Sequence, residues 1–163
     1  MKTLLSIIFI LTSSISYSAG TDSGGSSSSN ADSSSSSAST NNVDVNIEFN
    51  RAKKLIYKKN YAKGLKILKE IENERPFGYS KADLYNYMGF ASRKQKDPNY
   101  MNAENYYLKA LSLEPDHIGA LEYLGELYYE TDRVDMAKSL LEKLGEVAGQ
   151  DSAEYKDLSK LLD

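Results

Sequence analysis

Residues 119–144 read GALEYLGELYYETDRVDMAKSLLEKL, and their pattern is the strongest sequence indication of the fold class. Its apolar residues recur three and four positions apart, which is the period of an α-helix rather than the alternation of a strand. One apolar stripe consists of Leu121, Leu124, Leu127 and Tyr128, and a second consists of Ala137, Leu140, Leu141 and Leu144. A short polar break separates the two stripes. The stretch therefore predicts two helices that pack against each other as an antiparallel hairpin.

The same helical period extends over residues 43–163, where Lys, Leu, Glu, Ala and Tyr dominate. Only three prolines occur in the chain, at Pro76, Pro98 and Pro115, which is too few for the loops of an all-β protein. We predict an all-α fold in which Asp97 caps a helix that has Pro98 at its first position. The seven predicted helices cover residues 45–58, 61–74, 80–95, 99–113, 118–130, 133–147 and 152–161.

The helices also repeat along the chain. Gly89 and Gly125 are 36 residues apart, and Ala103 and Ala137 are 34 residues apart. This pattern resembles the tetratricopeptide repeat (TPR), a helix–turn–helix unit of ~34 residues that stacks into an α-solenoid. The resemblance implies three repeats in a domain covering residues 43–163. The apolar face of residues 152–163 predicts a C-terminal capping helix, with a free partner-binding helix as the alternative. The repeats are residues 45–78, 82–117 and 118–151, and the capping helix is residues 152–161.

Large and small residues follow the repeat pattern position by position. The fourth position holds Tyr85 and Leu121, the seventh and eighth hold Met88-Gly89 and Leu124-Gly125, and the twentieth holds Ala103 and Ala137. The twenty-fourth holds Tyr107 and Leu141, and the twenty-seventh holds Ala110 and then Leu144, which departs from the usual alanine. Small residues at the eighth and twentieth positions allow two helices to approach closely, and the large residues fill the surrounding space.

The first repeat matches the pattern only in part. Ala52, Gly64 and Leu68 fit it, whereas Glu48 and Arg51 put charge where large apolar residues belong. A terminal repeat with a polar outer face has this composition, because no further repeat stacks upon it.

The N-terminal residues have a different character. Residues 1–18 contain Lys2 and the apolar run LLSIIFIL at 4–11, the layout of a secretory signal peptide. The run is far shorter than the roughly 20 residues that span a bilayer, so we expect no stable membrane anchor. Residues 19–42 contain 11 serines among 24 positions and predict a disordered linker. Cleavage before Ala19 is the expected processing, with an uncleaved N-terminus as the alternative.

The composition excludes several kinds of chemistry. The chain has no cysteine and one histidine, and its formal net charge is −3. Disulfides, thiolate catalysis and Cys/His metal sites are therefore ruled out, and bulk nucleic-acid binding is disfavoured. We find no nucleophile–base pair and no phosphate-binding loop. The sequence predicts a non-enzymatic protein that has neither a cofactor nor a metal.

The resemblance to TPR proteins also implies a binding surface. In that family the first helix of each repeat lines a concave groove, which holds a peptide or a protein segment. The candidate groove residues are Phe49, Lys53, Tyr57, Asn86, Phe90, Arg93, Lys94, Glu122, Glu126, Tyr129 and Glu130. They mix aromatic anchors with charges, as peptide-binding surfaces do. Changes at Arg93, Tyr57 or Glu126 are expected to abolish partner binding.

An alternative function follows from the charge distribution. Residues 45–81 carry ten Lys/Arg and four Asp/Glu, whereas residues 114–163 carry five and thirteen. Opposite charges at the two ends favour head-to-tail self-association into a weak homo-oligomer. In ordinary surface helices, such charges only solvate the outer faces.

Taken together, these features predict an exported protein-interaction module of the periplasm or the extracellular space. The run at 119–144 resembles small exported bacterial TPR proteins of unassigned function, which implies a bacterial source but not a partner.

Overall fold

The computed structural model describes residues 44–163, so the predicted signal peptide and the serine-rich linker lie outside the described residues. Within this range the chain forms seven α-helices and no strand, which confirms the all-α prediction. The helices are α1 (Val45–Tyr57), α2 (Tyr61–Glu70), α3 (Lys81–Arg93), α4 (Tyr100–Leu113), α5 (Ile118–Glu130), α6 (Val134–Ala148) and α7 (Ala153–Leu162).

Consecutive helices pack as hairpins. Helix α1 packs on α2, α3 on α4, and α5 on α6, and neighbouring hairpins meet where α2 contacts α3 and α4 contacts α5. The first helices of the hairpins, α1, α3 and α5, also contact one another in order. This nearest-neighbour arrangement is that of a TPR-type α-solenoid.

Polar side chains begin several of the helices. The carboxylate of Asp44 accepts hydrogen bonds from the backbone N–H groups of Asn46 and Ile47, with N···O distances of 3.1 Å in both cases. Ser80 forms a reciprocal capping box with Asp83. These bonds satisfy N–H groups that have no partner within the helix.

The predicted cap of α4 is wrong. Asn99, not Asp97, caps this helix and accepts the N–H of Asn102 at 3.0 Å. The backbone N–H of Asn99 also donates to the carbonyl of Ser92 at 3.1 Å. This bond closes the longer inner turn of the middle repeat, and α4 therefore begins at Tyr100, two residues after Pro98.

The first repeat has the same turn geometry as the last one. Lys59 and Asp132 lie 14 residues after the first residues of α1 and α5, and both have positive φ, 61° and 59°. At the twentieth position, a Cβ on Gly64 would lie 2.6 Å from Cγ1 of Ile56, so only glycine fits there without movement. Glu48 and Arg51, which break the pattern, pair with each other at 3.2 Å on an exposed surface.

The last helix covers the third hairpin. Helix α7 contacts α5 and α6, and its Leu158 is fully buried beside Leu121 and Leu144. A Cβ on Gly125 would lie 2.5 Å from Cδ2 of Leu158, so this glycine accommodates α7. None of the helices in residues 44–163 has both the length and the hydropathy that crossing a bilayer requires.

Candidate functional site

Helices α1, α3 and α5 form one face of the described domain, which we call the groove face. The structure separates the predicted groove residues into three groups. Tyr57, Asn86, Phe90 and Glu122 surround one cavity, whereas Arg93, Lys94, Glu126 and Glu130 form a cluster of ion pairs. Phe49 and Lys53 lie beside the rings of Tyr79 and Tyr87. Tyr129 belongs to none of these three groups and is 40% exposed.

The cavity, which we call the groove cavity, has a volume of about 260 Å³. Three helices of the groove face contribute to it, together with the start of α2 and one residue of α7. It is lined by Ile56, Tyr57, Lys59, Tyr61, Asn86, Tyr87, Phe90, Gly119, Glu122, Tyr123 and Glu154.

Aromatic rings form much of the cavity wall. The Phe90 ring lies 4.9 Å from the ring of Tyr123 and 6.1 Å from the ring of Tyr61, measured between centroids. These separations are typical of interacting aromatic pairs, so the rings hold one another in place. Tyr57 is the exception, because 79% of its surface is exposed and it stands at the edge of the cavity.

Asn86 places an unpaired polar group in the cavity wall. The residue is only 7% exposed, and its amide oxygen Oδ1 is buried without a hydrogen-bond partner. A Cβ on Gly119 would lie 2.9 Å from Nδ2 of Asn86, so the glycine leaves room for this side chain. Leaving a buried acceptor unpaired costs ~1–3 kcal/mol. The asparagine is therefore poorly explained by packing alone.

Glu122 is the second polar group in the wall, and it is also 7% exposed. Burial, with a further contribution from the nearby carboxylates of Glu126, Glu154 and Asp157, raises the pKa of Glu122 to about 8, against a smaller opposing effect of Arg93. Because the side chain is hard to ionise in this environment, a substantial fraction is protonated at neutral pH.

Arg93 lies inside the protein, although the repeat pattern predicts it on the groove surface. Its side chain has no exposed surface, and it pairs with Glu126 and, at 3.8 Å, with Glu130. It also donates to the backbone carbonyl of Tyr123 at 3.2 Å. The Lys94 side chain is 35% exposed, and its ammonium group lies 3.5 Å from the carboxylate of Glu130. The Arg93 guanidinium therefore joins α3 to α5 and is not directly accessible to a partner.

Phe49 is also buried. It is 3% exposed and stacks on Tyr79, with ring centroids 4.1 Å apart and planes inclined by 15°. The ammonium group of Lys53 lies 5.6 Å from the Phe49 ring and 5.3 Å from the Tyr87 ring. Phe49 therefore belongs to the core between α1 and α3, and Lys53 covers it.

Seven cavity residues were not among the predicted groove residues: Ile56, Lys59, Tyr61, Tyr87, Gly119, Tyr123 and Glu154. Tyr87 and Tyr123 share the sixth position of their repeats, so an aromatic residue at one position of two repeats was the available signal. Glu154 belongs to α7, whose predicted role was to cap the last repeat. Only the folded arrangement of α7 against α5 brings its carboxylate to the cavity.

Other polar contacts connect successive repeats. His117 caps α5 through Nδ1, which accepts the N–H of Ala120 at 3.1 Å, and its Nε2 lies 3.4 Å from Asp83 of the preceding repeat. Within residues 44–163, no three His, Asp or Glu side chains are grouped so that they would hold a metal ion.

Comparison with known proteins identifies the type of repeat. A tetratricopeptide repeat family model matches residues 96–162, a range that contains α4, α5, α6 and α7. No curated protein matches the chain. The match and the stacked hairpins agree with the repeat pattern of the sequence. Residues 96–162 thus match the tetratricopeptide repeat family, and the packed hairpins of residues 44–163 are consistent with a TPR-type solenoid.

Proposed function

We propose that this protein is an exported, non-enzymatic module that binds a peptide or a segment of another protein on its groove face. Tetratricopeptide repeats are generally protein–protein interaction modules, and the family is typically non-enzymatic. Export, to the periplasm or the extracellular space of a bacterium, is proposed from the signal-peptide layout of residues 1–18.

The groove cavity is the observation that supports binding on this face. It combines aromatic walls with two buried polar groups, and Tyr57 stands exposed at its edge. Protein-binding surfaces commonly centre on aromatic anchors and pockets of this kind.

A crosslinking pull-down tests the proposal. The processed protein, residues 19–163, is crosslinked to an envelope extract of its source, and the captured partners are identified by mass spectrometry. Tyr57→Ser is the test variant, because this side chain is 79% exposed at the cavity edge. Phe77→Ser is the matched control, because Phe77 is 72% exposed and does not line the cavity.

The proposal expects one partner that Tyr57→Ser loses and Phe77→Ser retains. Equal capture by both variants would contradict binding on the groove face. Arg93 and Glu126 are unsuitable test sites despite the sequence-based prediction, because their ion pair is largely buried and its loss would weaken the fold.

Self-assembly is the second candidate function, and a basic surface groove favours it. This basic groove is separate from the groove cavity. It lies on α1 and α2 and is lined by four lysines, Lys54, Lys58, Lys63 and Lys66, together with Arg51. The last repeat and α7 carry the excess of acidic residues. Light scattering at high protein concentration and low salt tests head-to-tail association. Oligomers that dissociate as salt rises are expected, and a monomer under these conditions would exclude this function.

A further inference from the structure

The size of the groove cavity limits what it can hold. Its volume is about 260 Å³, whereas sites for drug-sized ligands occupy roughly 300–1,000 Å³. A single side chain of a bound segment is therefore a better match for this space than a separate small molecule.

The cavity wall favours a positive charge on that side chain. Ring faces of Tyr, Phe and Trp attract cations within ~6 Å, and five aromatic residues line this cavity. Three of them, Tyr87, Phe90 and Tyr123, already receive cations from the protein. Lys53 lies 5.3 Å from the Tyr87 centroid, and Arg93 lies 5.8 Å from the Tyr123 centroid. Cations thus already lie against rings of this wall, and the exposed ring of Tyr57 is the one most open to a cation from outside.

Two buried acceptors supply the polar contacts that a cation requires. Only 7% of the Asn86 surface is exposed, and its Oδ1 has no hydrogen-bond partner. Glu122 is equally buried and lines the same cavity. An ammonium or guanidinium group has only donors, so the Glu122 carboxylate is the acceptor that it would use first, and the Asn86 amide would turn its Oδ1 toward the cavity to accept from it as well.

The charges around the cavity favour the same occupant. Glu154 lines the cavity, and Asp157 lies close enough to influence the ionisation of Glu122. Arg93 is already paired with two carboxylates, which leaves Lys59 as the basic residue that lines the cavity, and it is exposed. Glu154 and Asp157 therefore favour a cationic side chain over an anionic one, and a bound cation would also favour the ionised form of Glu122.

We propose that the groove cavity binds a lysine or arginine side chain from a segment of the partner protein. This inference rests on the proposed function, because it specifies which feature of the bound segment the groove face recognises. The serine-rich residues 19–42 contain neither lysine nor arginine, so this part of the chain's own sequence cannot supply the side chain.

The test uses single blocked amino acids as probes. Nα-acetyl-lysine methylamide and its arginine analogue are titrated into the ¹⁵N-labelled protein, with the norleucine analogue, which has the same four side-chain carbons but no ammonium group, as the neutral control. Saturable shifts of the Asn86, Gly119 and Tyr123 amides are expected with the two cationic probes and not with norleucine. Glu122→Gln is expected to weaken binding of the lysine probe by about fivefold or more.

Glu114→Gln is the matched control, because Glu114 is exposed at the end of α4 and does not line the cavity. It should leave the affinity for the probe unchanged. Equal shifts with lysine and norleucine, or an unchanged affinity in Glu122→Gln, would overturn the proposal. Shifts of the same amides that depend on protein concentration without any probe would overturn the partner assignment, because a second copy would then supply the cation.

The two proposals fail in different ways. Capture of a Tyr57-dependent partner without binding of the cationic probes would refute the cation site and leave the proposed function intact. Binding of the probes without any captured partner would refute the proposed function alone.

Discussion

Gly89 of α3 lies directly against the ring of Tyr107 of α4. A Cβ at residue 89 would lie 2.6 Å from Cε1 and 2.7 Å from Cδ1 of that ring. Tyr107 has no exposed surface, and its hydroxyl is buried without a partner. The ring therefore has little space into which it can move, and the eighth position of this repeat requires glycine.

Gly89→Ala is therefore expected to destabilise the protein. Alanine is favoured over glycine within a helix by ~1 kcal/mol, but overpacking a core costs ~1–3 kcal/mol. We expect a net loss of about 1 kcal/mol and a larger loss for Gly89→Leu, measured by urea unfolding. In a Tyr107→Leu background the alanine should no longer destabilise; if it still does, the ring is not the cause.

Two adjacent basic residues should differ strongly in their effect on stability. Arg93→Met leaves the Glu126 carboxylate without its buried partner and should cost ~3 kcal/mol, because the arginine side chain has no exposed surface. Lys94→Met removes a partly exposed ion pair and should cost ~0–1 kcal/mol. Equal losses in the free energy of unfolding would show that the burial of Arg93 does not matter.

Two leucines of α7 provide a test of its capping role. Leu158 has no exposed surface, whereas Leu161 is 39% exposed. Leu158→Ala is expected to cost ~2–5 kcal/mol, because it opens a cavity against Gly125 and Leu144. Leu161→Ala should cost less than ~1 kcal/mol. A neutral Leu158→Ala variant would mean that α7 is not held on the last hairpin in solution.

The pH dependence of stability should reveal the burial of Glu122. Its folded-state pKa is raised, because of burial and the neighbouring Glu126, Glu154 and Asp157, with Arg93 opposing. The group therefore stabilises the fold most below its ordinary pKa of 4.5, and this contribution is lost as pH rises toward about 8. Glu122→Gln should remove this part of the pH dependence and, above pH 8, raise stability by ~1–2 kcal/mol.

Thermal unfolding of the wild type and of Glu122→Gln between pH 5 and pH 9 measures the effect. Glu114→Gln, which changes an exposed carboxylate, is the control. Parallel stability profiles for the wild type and Glu122→Gln would contradict a raised pKa at Glu122.

The ion pair between Arg133 and Glu104 should respond to pH in the opposite direction. Arg133 donates to the two Glu104 oxygens at 2.7 and 2.9 Å, and this hydrogen bonding lowers the pKa of Glu104. Its stabilising contribution is complete above the ordinary pKa of 4.5 and is lost as pH falls below it. Arg133→Lys should cost ~1 kcal/mol at pH 7, because lysine cannot donate the two parallel hydrogen bonds that arginine makes to the carboxylate. The cost should be much smaller at pH 2–3, because protonation of Glu104 weakens the pair in both variants. An equal loss at both pH values would contradict this account.

Periodicity predicted the helices well, because each helix buries a regular stripe of apolar residues. The predicted and observed helices agree closely, except that α2 ends at Glu70 instead of residue 74. The cap at Asn99 was missed because it depends on a backbone bond to Ser92 across the inner turn. Such a bond leaves no trace in the composition of residues 96–99.

The candidate site was predicted less completely. The repeat pattern indicates which helices face the groove, but it does not give the depth of each side chain. Arg93 and Phe49 have suitable positions in the repeat and are nevertheless buried. Glu154 joins the cavity only because α7 folds back onto α5. Burial and long-range packing therefore decide which predicted residues are accessible, and neither is contained in a periodic pattern.

The bonds of Arg93 have a consequence for how the domain unfolds. In a solenoid, the strength of the interfaces between neighbouring repeats determines whether repeats melt separately or together. Arg93 belongs to the middle repeat, and its partners Glu126, Glu130 and the Tyr123 carbonyl all belong to the last one. Melting either repeat alone would leave these charges without their partners. We therefore expect the middle and last repeats to unfold together as one cooperative unit.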